Sequence, residues 1–124
     1  MATIDLFCRV VDNYGDIGVC WRLARQLVVE HGAQVRLIVD DLAAFRFLAP
    51  EIDPALTQQH LLGVDVIAWH ISDALQPAAI VIEAFACDPP APYVLLMAAH
   101  AEKPVWINLE YLSAEAWEIG RAHV

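Results

Sequence analysis

Two aspartates four positions apart, Asp12 and Asp16, lie in the stretch VVDNYGDIGVCW (10–21), where an apolar run gives way to a helical pattern. Carboxylates at such a junction can grip a cation, orient a hydroxyl, or take a proton from an attacking group. They are the candidate catalytic acids, and Asn13, Tyr14, Gly15 and Gly18 around them are candidate binding residues. A nucleotide-phosphate turn would need GxGxxG, whose glycines let backbone amides close on a pyrophosphate. Here Gly15 and Gly18 frame Asp16 and put negative charge where phosphates would sit. Hydride transfer with a nicotinamide cofactor is therefore disfavoured, and a cationic or hydroxyl-bearing group fits better. Each acid also has a plainer reading: Asp16 as the cap of a helix beginning near Ile17, and Asp12 as a turn residue closed on the glycine segment. One helix needs one capping acid, and the second points to chemistry.

The flanking elements must position these side chains. IDLFCRVV (4–11) puts Ile4, Leu6, Cys8 and Val10 on one face and Phe7 and Val11 on the other, the pattern of a strand buried on both sides. IGVCWRLARQLVVEHG (17–32) predicts a helix, with Val19, Leu23 and Leu27 in one stripe and Gly32 as the stop. QVRLIVDD (34–41) predicts a second strand, and LAAFRFLAP (42–50) a second helix begun by aspartates and closed at Pro50. GVDVIAWH (63–70), AAIVIEAFA (78–86) and PVWINLEYLS (104–113) read as further strands, and PPAPYVLLMAAHAEK (89–103) as a helix begun after prolines. Strands that alternate with helices and are apolar on both faces imply an α/β fold, a doubly wound, mainly parallel Rossmann-like sheet. Ligands of such sheets sit outside the carboxyl ends of the strands, and DNYGDIG occupies the first of those turns.

At 124 residues, 59% of them hydrophobic and 19% charged, the chain suits one ordinary domain with its own core. Sixteen acids against seven bases give a formal net charge of −9, and the bases are scattered, so there is no electrostatic footprint for nucleic acid. An acidic surface suits a cationic partner. No apolar run approaches the roughly 18 residues of a membrane helix, and no secretory signal pattern opens the chain, which predicts a cytoplasmic protein without membrane attachment. Cys8, Cys20 and Cys87 lack CxxC spacing and read as packed thiols. His31, His60, His70 and His100 are scattered and do not suggest a metal set. Glu83 is either a buried acid or the exit residue of its strand, the second being favoured. Asn108, Glu110 and Tyr111 would leave the last strand on the same carboxyl edge as the acidic turn and are further candidate binding residues, with Ser113 as a helix cap the plain alternative.

Four segments, FCRVVDNYGDIGVCWRLARQL, VRLIVDDLAAF, VIEAFAC and PVWINLEYLSAEAW, closely resemble in order and spacing the N-terminal domain of bacterial protein-arginine rhamnosyltransferases. These enzymes modify translation elongation factor P. The resemblance runs from about Ile4 to Trp117. It implies the N-terminal half of a GT-B glycosyltransferase, in which two Rossmann-type domains face a cleft. The implied reaction moves rhamnose from dTDP-β-L-rhamnose to one arginine of the factor, with inversion and with neither metal nor other cofactor. Carried over by position, the paired aspartates of DNxGDIG fall on Asp12 and Asp16, the second as general base and the first as supporting acid. The nucleotide is held mainly by the second domain in such enzymes, so residues 1–117 are expected to form the acceptor-side domain and to be inactive alone. The pattern breaks at Glu118, where EIGRAHV reads as one translation frame of a sequencing-library adapter, so 118–124 is expected to be a non-native tail.

Arginine is charged and delocalised at neutral pH and attacks poorly unless a partner takes or shares a proton. Asp16 would first orient the guanidinium and then accept that proton. The competing expectation is an acidic Rossmann-like module that docks a cationic protein loop without catalysis.

Overall fold

A computed structural model describes residues 2–10 and 14–110. Six strands form one sheet: β1 (Thr3–Cys8), β2 (Gln34–Val39), β3 (Gln58–Leu61), β4 (Val64–Ala68), β5 (Ile80–Ala84) and β6 (Val105–Leu109). Their spatial order is β3-β4-β2-β1-β5-β6, with β3 antiparallel to β4 and every other pair parallel. The chain winds outward from β1 to β2 and β4, then returns to the far side of β1 for β5 and β6. The carboxyl ends of β1 and β5 therefore flank the point where the winding reverses, the usual ligand crevice of such sheets.

The doubly wound, mainly parallel α/β fold expected from the strand and helix rhythm is present, with one addition. β3 (QQHL) has no apolar face for a sequence pattern to reveal. It pairs through a two-residue turn at Leu62 and Gly63, both with positive φ. The strand and helix ends also differ from the sequence pattern. β1 stops at Cys8, and α2 spans only Leu42–Arg46, because the chain turns out of the helix over Phe47 and Leu48 before Pro50. ISDALQP, expected as a link, begins inside a short 3-10 helix over Trp69–Ala74.

Alternation within each strand divides the core in two. Leu6, Cys8, Leu37, Val39 and Val66 face α1 (Gly15–His31) and α2, packing against Ile17, Cys20, Trp21 and Phe45. Phe7, Ile38, Ile67 and Val81 face the 3-10 helix and α3 (Ala91–Ala99), packing against Tyr93 and Met97. On this second face the fully buried Asp5 accepts two hydrogen bonds from Arg36, at 2.6 and 2.7 Å, one from the Ala78 amide at 3.0 Å and a short one from the Tyr93 hydroxyl. A buried charge is tolerated when it is paired and fully hydrogen-bonded, as here. At the opposite edge, β6 leaves Val105, Trp106 and Ile107 exposed.

Candidate active site

The segments leaving β1 and β2 are laced together. The Val10 amide donates to Asp40 Oδ1 at 2.8 Å, and the Asp40 amide donates to the Cys8 carbonyl at 3.4 Å. This lacing fixes where the chain enters the acidic turn. Helix α1 then starts at Gly15, with Tyr14 as the N-cap and no side-chain capping bond. Asp16 is the second helical residue, in the first turn and half-buried. The reading of Asp16 as the cap of a helix starting near Ile17 is thus corrected: the helix starts two residues earlier, and Asp16 lies inside it. Among the described residues no donor bonds its carboxylate. A carboxylate in that first turn faces the positive end of the helix dipole.

Gly15 and Gly18 lie on the same first turn. A side-chain carbon added at Gly18 would meet only Leu48 Cδ1, at 3.7 Å, so packing does not demand a glycine there. Tyr14 is exposed and its ring lies against Phe47. Asp12, Asn13 and Tyr111 lie outside the described residues, as do Ser113 and the 118–124 segment.

The second wall of the crevice is the turn after β5. Phe85, Ala86 and Asp88 take φ of 58°, 52° and 54°, the left-handed region that non-glycine residues enter at a cost of about 1 kcal/mol or more each. Four bonds hold them there. Phe85 N donates to the Leu109 carbonyl at 2.6 Å, Ala86 N to Asn108 Oδ1 at 2.8 Å, Cys87 Sγ to the Phe7 carbonyl at 3.4 Å, and Asp88 N to Glu83 Oε2 at 3.0 Å. Strain pinned this thoroughly at a switch point is a mark of a functional surface. Asn108 and Glu110 do reach the carboxyl edge, where the Asn108 amide nitrogen donates to Glu110 Oε1 at 2.9 Å. The Asn108 amide is thereby committed to shaping the turn. Glu83 is not the exit residue: it sits inside β5, between Phe7 and Asn108, and its carboxylate holds the turn.

Arg9, the first residue after β1, also stands on this edge, its guanidinium 5.2 Å from the Trp69 ring, and Trp69 meets Phe7 edge to face. Sequence reasoning left Arg9 aside. Its place immediately after the first strand was the available signal.

The three cysteines are free and buried beneath the edge, as packed thiols. A hydrogen bond with Cys20, then burial, holds the Cys8 proton far above the usual thiol range. Burial pushes the Cys87 thiol up to about 12. Neither is a nucleophile at neutral pH. Among the described residues no three His, Cys, Asp or Glu side chains converge as metal ligands would. A cavity of about 500 Å³ opens at the opposite, amino-terminal edge of the sheet, but its charges are spent on each other, Arg36 on Asp5 and His60 on Asp65. The carboxyl edge carries Asp16, whose carboxylate takes no donor among the described residues, and the strained turn after β5.

Comparison with known proteins identifies the family. The model of the elongation factor P (EF-P) rhamnosyltransferase family, EarP, matches residues 4–124, running through the closing segment that the sequence pattern sets apart. A protein-arginine rhamnosyltransferase of Pseudomonas putida is 58% identical over 120 residues, which cover 96% of this chain and 32% of that protein. Its namesake in Pseudomonas aeruginosa is 54% identical over 124 residues, covering 99% and 33%. One from Neisseria meningitidis serogroup B is 45% identical over 116 residues, covering 89% and 29%. The chain spans about a third of the length of the curated relatives it matches. A match running almost from end to end, over a sheet whose first carboxyl-edge turn is acidic, shows that the chain belongs to the EarP family of elongation factor P rhamnosyltransferases.

Proposed function

We propose that this chain supplies the acceptor-facing half of an enzyme that transfers L-rhamnose from dTDP-β-L-rhamnose to an arginine of translation elongation factor P, with inversion and without a metal. The observation that carries the reading is the Asp16 carboxylate, half-buried in the first turn of α1 at the switch-point edge, with no hydrogen-bond donor among the described residues. Such a group is free to accept N–H bonds from a guanidinium. The relatives' names supply the sugar and the acceptor residue, and the family's name supplies the acceptor protein.

The steps follow from this placement. Asp16 orients the acceptor guanidinium, and a guanidinium nitrogen attacks the anomeric carbon from the face opposite the nucleotide. The new C–N bond forms as the C–O bond to dTDP breaks, its electron pair leaving with the diphosphate. The proton lost by the nitrogen goes to Asp16. One displacement with one carboxylate beside the nucleophile inverts the centre and needs no covalent intermediate. Asp12, four positions earlier in the sequence, is the supporting acid. A second domain holds the nucleotide, and the reaction takes place in the cytoplasm, where the acceptor resides.

The test is rhamnose transfer by the full-length enzyme, followed by the intact mass of the acceptor protein. Asp16→Asn should lower turnover by roughly 100-fold or more, the scale of general-base catalysis. Near-wild-type turnover sinks the assignment. Tight acceptor binding with no transfer by the wild-type enzyme would favour a non-catalytic docking module instead.

A further inference from the structure

Strand β6 is an outer edge of the sheet, and its large apolar side chains are open to solvent: Val105 is 57% exposed, Trp106 47% and Ile107 45%. They divide between the two faces. Trp106 pairs with Val81, on the face that α3 covers, and lines a cavity of about 200 Å³ with Val94 and Met97. Val105 and Ile107 pair with Ile80 and Ile82, whose half-buried side chains belong to the α1 face. Helix α1 packs chiefly over β2 and β1, so nothing among the described residues covers Val105 and Ile107 there.

Parallel strands are ordinarily covered by helices on both faces. Two neighbouring strands present a strip about 10 Å wide, the diameter of one helix with its side chains. The crossover that leaves β6 does not fill this strip. α1 carries the chain from β1 to β2 over one face, and α3 carries it from β5 to β6, in the opposite direction, over the other. A right-handed crossover to a further strand outside β6 runs over the α3 face again. The strip therefore needs a helix from elsewhere in the polypeptide. The match to this chain covers 32% and 33% of the two Pseudomonas relatives, so about two thirds of each lies outside it. An apolar strip also suits permanent burial better than a partner that must leave after each turnover.

We propose that a helix from that remaining part of the full-length chain docks across Ile80, Ile82, Val105 and Ile107, closing the α1 face and tying the rest of the enzyme to this sheet at its edge. This goes beyond the proposed reaction and does not depend on it.

The experiment places a benzophenone-bearing residue at position 105 or 107 of the full-length enzyme, irradiates it with and without the acceptor protein, and maps the cross-linked peptide by mass spectrometry. The expected product is a cross-link within one chain, to a helical segment outside residues 1–124, whether or not the acceptor is present. A cross-link to a second copy, to the acceptor protein or to residues 1–124 of the same chain overturns the proposal, and so does the absence of any cross-link. Val105→Asp and Ile107→Asp put a charge into the contact, and each should lower the Tm of the full-length enzyme by about 2–8 °C. An unchanged Tm in both aspartate variants also overturns it, and should neither variant fold, the cross-link alone decides.

Discussion

The side chain of Asn108 on β6 accepts the Ala86 amide at 2.8 Å, and so ties the outermost strand to the strained turn at the crevice. Removing that acceptor leaves the amide without its partner in a backbone region that already stores strain. Asn108→Ala should lower stability by about 1–2 kcal/mol in urea unfolding. Asn108→Asp keeps the acceptor and should recover part of that loss, but not all, because the bond to Glu110 becomes a repulsion.

Asp5 and Arg36 make a second test of cooperation within the core. Arg36→Ala leaves a fully buried carboxylate with only the Tyr93 hydroxyl and the Ala78 amide as donors. Loss of about 2–4 kcal/mol is expected, somewhat under the scale for fully buried pairs because the Arg36 side chain is 29% exposed. Tyr93→Phe removes one neutral donor and should cost about 1–2 kcal/mol. Equal effects of the two variants in chemical denaturation would contradict the ranking of charge over hydroxyl.

Alkaline pH should destabilise the folded protein. Cys8, Cys87 and Tyr93 all hold their protons more tightly in the folded chain, Cys8 chiefly through Cys20 and the other two chiefly through burial. The unfolded chain releases thiol protons from its ordinary value near 9.0, so rising pH favours the unfolded state. The stability contributed by Cys87 is complete below pH 9 and is lost progressively between pH 9 and about 12. Denaturant midpoints measured at several pH values should fall across that window, and Cys87→Ser should flatten part of the slope.

Two glycines should respond oppositely to alanine. Gly63 has φ of 82°, and an added carbon would sit 2.8 Å from Val28 Cγ1, so Gly63→Ala should cost about 1–3 kcal/mol. Gly18 lies within α1 with ordinary space around it, so Gly18→Ala should stabilise by up to about 1 kcal/mol through helix propensity. Thermal melts of the two variants compare the signs directly.

The sequence alone determined the winding of the sheet and the place of the acidic turn. Both are local properties: an apolar strand buried on two faces has its own pattern, and Asp12 and Asp16 follow such a strand directly. The packed cysteines were legible for the same reason, each standing in an apolar run. Tertiary structure decided the rest. β3 carries no apolar face, and only its pairing with β4 makes it a strand. Asp5, 31 positions from Arg36 and 88 from Tyr93, is buried because the sheet and α3 bring its partners to it. Asn108 also braces the turn after β5, a role the sequence could not show, since its partner at Ala86 is 22 positions away. Phe47 falls inside the helix expected over 42–50, but α2 ends one residue before it and leaves its ring against Tyr14. Residue type and spacing can announce a carboxylate at a strand end, but the partners of a side chain are set by contacts between distant segments, which local pattern does not encode.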